Sequence, residues 1–235
     1  MEEKLIKSRE RVKNHGEVFT PKFIVHKMLA LPGIKEAKTD FTKIVLEPSA
    51  GEGIFLVELL KMRLDYLIKK NQDDLITYEN ESIMALTTLY GVELLKDNSQ
   101  KCVANITETY MEYYRKYAQN LNVPINENIK KSAITIISSN NLLGNFLTEK
   151  DPFGNDLIFS EWQVIDKNKK GYNIIQRTEY TLNEIREHTD VSSGNAKNKI
   201  AYNQISFFQD DKKQVDEKYI PVAIDKLWKE EIERS

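Results

Sequence analysis

The sequence predicts an α/β fold built on a mostly parallel sheet with helices on both of its faces. Three observations carry that expectation. Val45-Leu46-Glu47-Pro48-Ser49-Ala50-Gly51-Glu52-Gly53 reads as a buried strand running into a tight glycine turn. Phe55, Leu59, Leu60, Leu64, Leu67 and Ile68 then recur at helical spacing. A second short apolar run, Leu89-Tyr90-Gly91-Val92-Glu93-Leu94, closes on an acid. Strand, glycine turn, helix, strand and acid are the order of a nucleoside-binding half-sheet, whose carboxylate accepts both ribose hydroxyls.

The bulk composition admits this fold and excludes some alternatives. A chain of 235 residues with 40% hydrophobic and 30% charged residues is an ordinary globular protein, long enough to bury a substantial core. Its formal net charge of -2 gives no general attraction to nucleic acid, so such a partner would need a local basic patch or another subunit. The single cysteine, Cys102, rules out an intramolecular disulfide and a cysteine-built metal site, and no metal is expected. Met1-Glu2-Glu3-Lys4 is charged, and no apolar run approaches the ~18 residues needed to span a bilayer. A cytoplasmic location away from any membrane is the expectation.

Residues 1–15 are charged with a helical tendency, broken at Gly16. Thr20-Pro21 then signals a helix start, with Thr20 as cap and Pro21 in the first turn, where its missing N–H costs nothing. Phe23, Ile24, Met28 and Leu31 supply that helix's apolar spacing before Pro32-Gly33 ends it, and the segment also fits a plain capped amphipathic helix.

Residues 41–47 read as the first central strand and residues 54–70 as a helix. A polar stretch follows to residue 81, then a short helix over residues 82–89 and the second strand. Residues 96–121 form a long helix with Cys102, Ile106, Tyr110, Tyr113 and Tyr117 on one side, a stripe that reads as core rather than as a base-stacking platform. The β-branched run Ala133-Ile134-Thr135-Ile136-Ile137 predicts a third strand, and Asp156-Leu157-Ile158-Phe159-Ser160 a fourth. Strands separated by helices argue for parallel pairing.

Beyond Trp162 the pattern loosens. Residues 166–171 read as a charged turn, 172–180 as an edge strand, and 181–188 as a short helix capped by Thr181. Residues 191–198 read as a loop, 205–208 as a further strand, and 223–234 as a final helix.

Four segments together resemble the amino-terminal half of γ-class N6-adenine DNA methyltransferases, the modification enzymes of Type I and Type IIG restriction systems. Gly16-Glu17-Val18-Phe19-Thr20-Pro21 is similar to the motif that closes over the methionine end of S-adenosylmethionine. Residues 46–53 resemble the glycine motif under the cofactor, Gly91-Val92-Glu93 the ribose-binding acid, and Gly144-Asn145-Phe146-Leu147 the segment beside the adenine ring. The resemblance spans roughly residues 14–165 and implies a Rossmann-like class I methyltransferase fold with S-adenosyl-L-methionine as cofactor. It implies Phe19, Thr20, Pro21, Glu47, Pro48, Ala50, Gly51, Gly53, Glu93, Asn145 and Phe146 as cofactor-binding residues, with Glu47 and Thr20 at the ammonium and carboxylate ends. The family has Asp where this chain has Asn145, whose amide offers no carboxylate to the adenine amine. Gly53 and Glu93 also stand further apart than the roughly 20 residues of the compact fingerprint.

One departure outweighs these. In the family the fourth strand ends in Asn-Pro-Pro-Tyr or Asp-Pro-Pro-Tyr, which holds the target amine and stacks on the flipped base. No such motif occurs in this chain, and the register puts Glu161 and Trp162 in its place. As catalytic candidates, Glu161 would accept from an amine and Trp162 would stack. As plain strand-end residues, they would point to opposite sides, with Trp162 in the core. Lys167, Lys169 and Lys170 beside them are the local basic residues, equally readable as a solvated face.

The expected organisation is a helical segment closing the cofactor site over residues 1–35, a methyltransferase-like Rossmann domain over 36–190, and a C-terminal extension over 191–235. The expected function is an S-adenosylmethionine-dependent DNA adenine-N6 methyltransferase, or a modification subunit, of a bacterial restriction-modification system. Its expected partners are DNA, reached with help from another polypeptide, and a restriction or specificity subunit. The alternatives are a catalytically degenerate S-adenosylmethionine-binding subunit that relies on a partner chain for catalysis and DNA recognition, and an unrelated nucleotide-binding α/β protein.

Overall fold

The structure is a computed structural model that describes residues 5–197 and 217–234. Helix α1 (Arg9–His15) starts at Ser8, whose hydroxyl accepts the Arg11 N–H, and ends at Gly16, whose φ of 65° lets its N–H turn back to the Val12 carbonyl. Helix α2 (Lys22–Leu29) has Pro21, not Thr20, at its N-cap position, and no side chain caps it. Its buried face is Val25 and Leu29, whereas Phe23, Met28 and Leu31 are exposed. The sequence-predicted stripe is therefore rotated, because the helix packs on the body of the protein through the next row of side chains.

Strand β1 (Val45–Glu47) is shorter than the expected strand over residues 41–47. The Asp40 carboxylate accepts both the Thr42 N–H and hydroxyl, which folds the preceding residues into a turn. After the glycine turn come helix α3 (Ile54–Lys70), helix α4 (Leu75–Thr87) and strand β2 (Leu89–Glu93). Helix α4 begins seven residues earlier than the polar sequence suggested, since Asp74 caps it by accepting the Thr77 N–H at 2.9 Å.

Helix α5 (Lys96–Asn120) matches expectation, with Cys102, Ile106, Tyr110 and Tyr117 buried and Tyr114 joining them in place of the half-buried Tyr113. The Tyr78 and Tyr117 rings stack at 3.8 Å between centroids, so the tyrosine stripe belongs to the core.

The expected third strand is not a strand. Residues 133–137 lie inside helix α6 (Glu127–Asn140), and strand β3 is the next segment, Asn141–Leu143. Ile129, Ala133, Ile136 and Ile137 are all buried, a spacing of one helical face, and Asn126 caps the start. Packing along that face overrides the strand preference of the isoleucines.

Strands β1, β2 and β3 form a three-stranded parallel sheet in that order, with Glu47 opposite Gly91 and Gly91 opposite Asn141. One face meets α3, where a Cβ on Gly91 would lie 3.0 Å from Leu56 and 3.2 Å from Ala50. Tyr90 and Val92 on the other face pack against Leu157 and Phe159. Leu142, Phe146 and Leu182, the last of these opening a short helix, pack against the same cluster.

The expected fourth strand does not join the parallel sheet. It is strand β4 (Ile158–Lys167), paired antiparallel with strand β5 (Asn173–Thr181) through the turn over residues 168–172. The predicted edge strand β5 is central, because helix α7 (Leu182–Arg186) and strand β6 (Glu217–Tyr219) are followed by strand β7 (Val222–Ala223), which pairs with it on the other side. Thr181 caps α7 in a capping box with Glu184. The C-terminal segment is not a helix: it holds β7, a single 3-10 turn at Leu227–Lys229, and strand β8 (Ile232–Arg234) paired with β6. Ile224 and Leu227 are buried there in the main core. The strand expected at residues 205–208 lies outside the described residues. Among those described, no helix is long and apolar enough to cross a membrane.

Arg63 on α3 is fully buried, and its guanidinium donates to the carbonyls of Ala37, Ala85 and Lys43 and to the Thr88 hydroxyl. Burial draws it down to about 10. These bonds tie the chain on both sides of β1 to the start of β2 and so fix where the glycine turn begins.

Candidate functional site

The turn after β1 is shaped by two left-handed glycines, Gly51 at φ 56° and Gly53 at φ 84°. Gly53 is also the N-cap of α3, and a Cβ there would lie 2.6 Å from the Cys102 sulfur. The two helices can approach only because that atom is missing. Cys102 is buried in this contact, and burial pushes its thiol up to about 12, which leaves it unreactive.

Glu93, at the end of β2, sits directly behind the turn and is 7% exposed. One carboxylate oxygen accepts the Gly51 N–H at 2.8 Å and the other the Leu95 N–H at 2.9 Å, with the Asn98 amide at 3.5 Å. The acid thus braces the glycine turn and the entry to α5 together. Beside it, the Gly144 N–H bonds the Glu93 carbonyl, which brings the end of β3 to the same place.

In front of the turn is a cleft of about 520 Å³. Phe19, Thr20, Glu47, Ser49, Ala50 and Gly51 line it, with Phe55, Glu58 and Lys61 of α3 and Asn105, Glu108, Thr109 and Glu112 of α5. Glu47 is half-buried: burial raises its carboxyl, and the Ser49 N–H at 3.3 Å only partly offsets this. Among the described residues no cation pairs with it. Burial would raise Glu58 as well, but His26 at 2.8 Å and Lys61 at 2.9 Å outweigh that and hold it below the usual value.

The chain ahead of α2 is strapped across this cleft, which Leu5, Val18, Phe19 and Thr20 border. The Phe19 N–H bonds the Leu5 carbonyl at 2.8 Å, and the Phe19 ring lies 3.7 Å from where a Gly51 Cβ would stand. Lys7 reaches Glu52 of the turn at 3.0 Å and Asp97 of α5 at 2.9 Å. Arg11 grips Glu17 and also Asp97, at 3.0 Å. Glu17 in turn accepts from the Asn98 amide at 2.6 Å.

Of the expected cofactor residues, Phe19, Thr20, Glu47, Ala50 and Gly51 line the cleft. Glu93 and Gly53 stand behind it, Pro21 opens α2 and Pro48 faces solvent. The Asn145 amide oxygen accepts the Leu147 and Thr148 N–H groups, and Phe146 packs against the Tyr90 and Val92 cluster. Neither lines the cleft. Glu161 and Trp162 point to opposite sides of β4. Glu161 is exposed and accepts from the Tyr180 hydroxyl at 3.0 Å, whereas Trp162 is buried, donating to Asn140 at 2.9 Å with Arg177 4.9 Å from its ring. The structure does not bring these two to the cleft.

Sequence reasoning missed Lys7, Arg11, Asp97 and Asn98, and named Glu17 only as part of the segment over the methionine end. Their partners are up to 91 residues apart, and the only local signal was a charged N-terminal run. Asn105, Glu108 and Glu112 were equally hidden on the polar side of a helix read for its buried stripe. No family model, curated protein or solved structure matches this chain.

Proposed function

We propose that this chain is the S-adenosylmethionine-binding part of a DNA adenine-N6 methyltransferase of a bacterial restriction-modification system, with the groups that hold the target adenine supplied from outside the described residues. The observation that carries the reading is the bond from Gly51 to Glu93. It sets a carboxylate and a glycine turn side by side at the carboxyl ends of parallel strands, where open α/β sheets bind nucleosides.

The residues fit such a cofactor. S-adenosylmethionine supplies an electrophilic methyl on a sulfonium. Glu47, half-buried and paired with no cation among the described residues, suits its ammonium, and the N–H groups opening α3, which no described side chain caps, suit its carboxylate. Phe19 and Thr20 close the methionine end. A carboxylate has about four acceptor positions, so Glu93 keeps capacity for a ribose hydroxyl beside the backbone N–H groups it already accepts.

Unaided methyl transfer has less support. The two candidates that replace the missing Asn-Pro-Pro-Tyr motif stand mid-strand in an antiparallel hairpin, one of them committed to the core. The arrangement favours a cofactor-holding subunit that relies on another polypeptide for catalysis and DNA recognition.

Calorimetry with S-adenosylmethionine and S-adenosylhomocysteine tests the reading: both are expected to bind, and Glu93→Ala to weaken both. If neither binds the purified chain, the reading fails. A tritiated methyl-transfer assay on mixed DNA, with and without neighbouring gene products, then separates the subunit from the self-sufficient enzyme.

A further inference from the structure

The cleft is bordered by a segment that is hardly packed. Among residues 5–20, Glu17 alone is buried, and α1 has no buried residue. What holds the segment across the cleft is charge. Asp97 in the first turn of α5 faces two cations of the strap, Arg11 at 3.0 Å and Lys7 at 2.9 Å. Lys7 also reaches Glu52 inside the glycine turn, which Lys101 of α5 grips at 2.8 Å. Arg11, then Lys7, hold the Asp97 carboxyl well below the usual carboxylate range.

Position of the strap and state of the site are joined by one side chain. The Asn98 amide donates to Glu17 of the strap at 2.6 Å and lies 3.5 Å from Glu93, the acid that braces Gly51. The same amide thus touches the strap and the acid at once, and Lys7 of the strap donates to the Asn98 side-chain oxygen. The Phe19 ring rides on the same segment and rests over Gly51.

We infer that residues 5–20 are a salt-sensitive gate over the cleft, latched by Asp97 as a positioning residue that bridges Lys7 and Arg11. The inference rests on the reading of the cleft as a ligand site. A hydrophobic lid would close more firmly as salt rises, whereas exposed ion pairs weaken as the screening length falls. The gate therefore opens with ionic strength, and a ligand in the cleft exchanges faster.

Hydrogen exchange of the ligand-free protein tests the latch without any assumption about the ligand. Losing two exposed ion pairs in Asp97→Asn should speed exchange at the Gly16 and Phe19 amides by about fivefold at low salt. Going from about 0.05 M to about 0.5 M sodium chloride should do the same in the parent protein and little more in the variant. Asp97→Glu, which keeps the charge, should restore slow exchange, an outcome that a general loss of folding in Asp97→Asn would not produce. Stopped-flow dissociation of S-adenosylmethionine should accelerate in parallel. Exchange at residues 5–20 that ignores both salt and Asp97→Asn overturns the gate. Salt-dependent exchange in a protein that binds no S-adenosylmethionine upholds the gate and overturns the proposed function instead.

Discussion

The Glu93 carboxylate accepts the Gly51 N–H at 2.8 Å across 42 residues of sequence. This bond joins the ends of two parallel strands on the side where the cleft opens, and its second oxygen holds the Leu95 N–H that starts α5. Replacing Glu93 with Ala orphans two part-buried donors, at a cost of about 1–3 kcal/mol each at most. Glu93→Gln leaves a single acceptor oxygen and is expected to fall between. Urea denaturation of the two variants reads this order, and equal stability of Ala and the parent would exclude a bracing role.

The two glycines of the turn should respond differently to alanine. Gly53→Ala puts a Cβ 2.6 Å from the Cys102 sulfur and 3.3 Å from its Cα, at φ 84°. Left-handed strain plus overpacking predicts a loss of about 3 kcal/mol. Gly51→Ala meets only the Phe19 ring at 3.7 Å, and strain alone predicts about 1–2 kcal/mol. Chemical denaturation should separate them, and Cys102→Ala should rescue part of the Gly53 loss but none of the Gly51 loss.

Trp162 and Glu161, adjacent in sequence, should differ as sharply. Trp162→Ala empties a core position and leaves Asn140 without its donor, for about 3–5 kcal/mol. Glu161→Ala sits on an exposed face and should stay within about 0.5 kcal/mol. Calorimetric S-adenosylmethionine affinity should be unchanged in Glu161→Ala. Methyl transfer by the chain alone that disappears in this variant would restore Glu161 to a catalytic role.

Stability should depend on pH through Glu79. This carboxyl is fully buried, and burial, with the nearby Asp225, raises it more than the Tyr114 and Tyr172 hydroxyls lower it. The folded chain then keeps a proton that the unfolded chain releases near the ordinary glutamate value of about 4.3. Its contribution is complete below that value and is lost as pH rises through the raised folded value. Urea midpoints measured upward from about pH 4.5 should fall less steeply in Glu79→Gln than in the parent. Parallel slopes would show that Glu79 is ionised throughout.

The strand-to-helix turn was legible because its cause is local. Gly51 and Gly53 supply backbone angles that few other residues adopt, and the leucine stripe of α3 repeats on one face. The long tyrosine helix was legible for the same reason. Residues 133–137 were not, since a run of β-branched side chains fits a buried strand or a buried helix face, and only the partners on that face decide between them. The cleft was half legible. Phe19, Thr20, Glu47, Ala50 and Gly51 were named from sequence, whereas Glu58, Lys61, Asn105 and Glu108 face it from helices whose polar sides carry no distinguishing pattern.

By itself, then, the sequence determined the β1 turn, the lengths of α3 and α5, the cap of α7 at Thr181 and the presence of an acid closing β2. Each rests on spacing or dihedral preference within a few residues. Tertiary structure decided the rest: β4 and β5 pair antiparallel away from the parallel sheet, β7 makes β5 central, Arg63 fastens the approach to β1, and a strap of exposed ion pairs crosses the cleft. All of these join residues far apart in the chain, where pairing is selected by burial and charge complementarity that no local window contains.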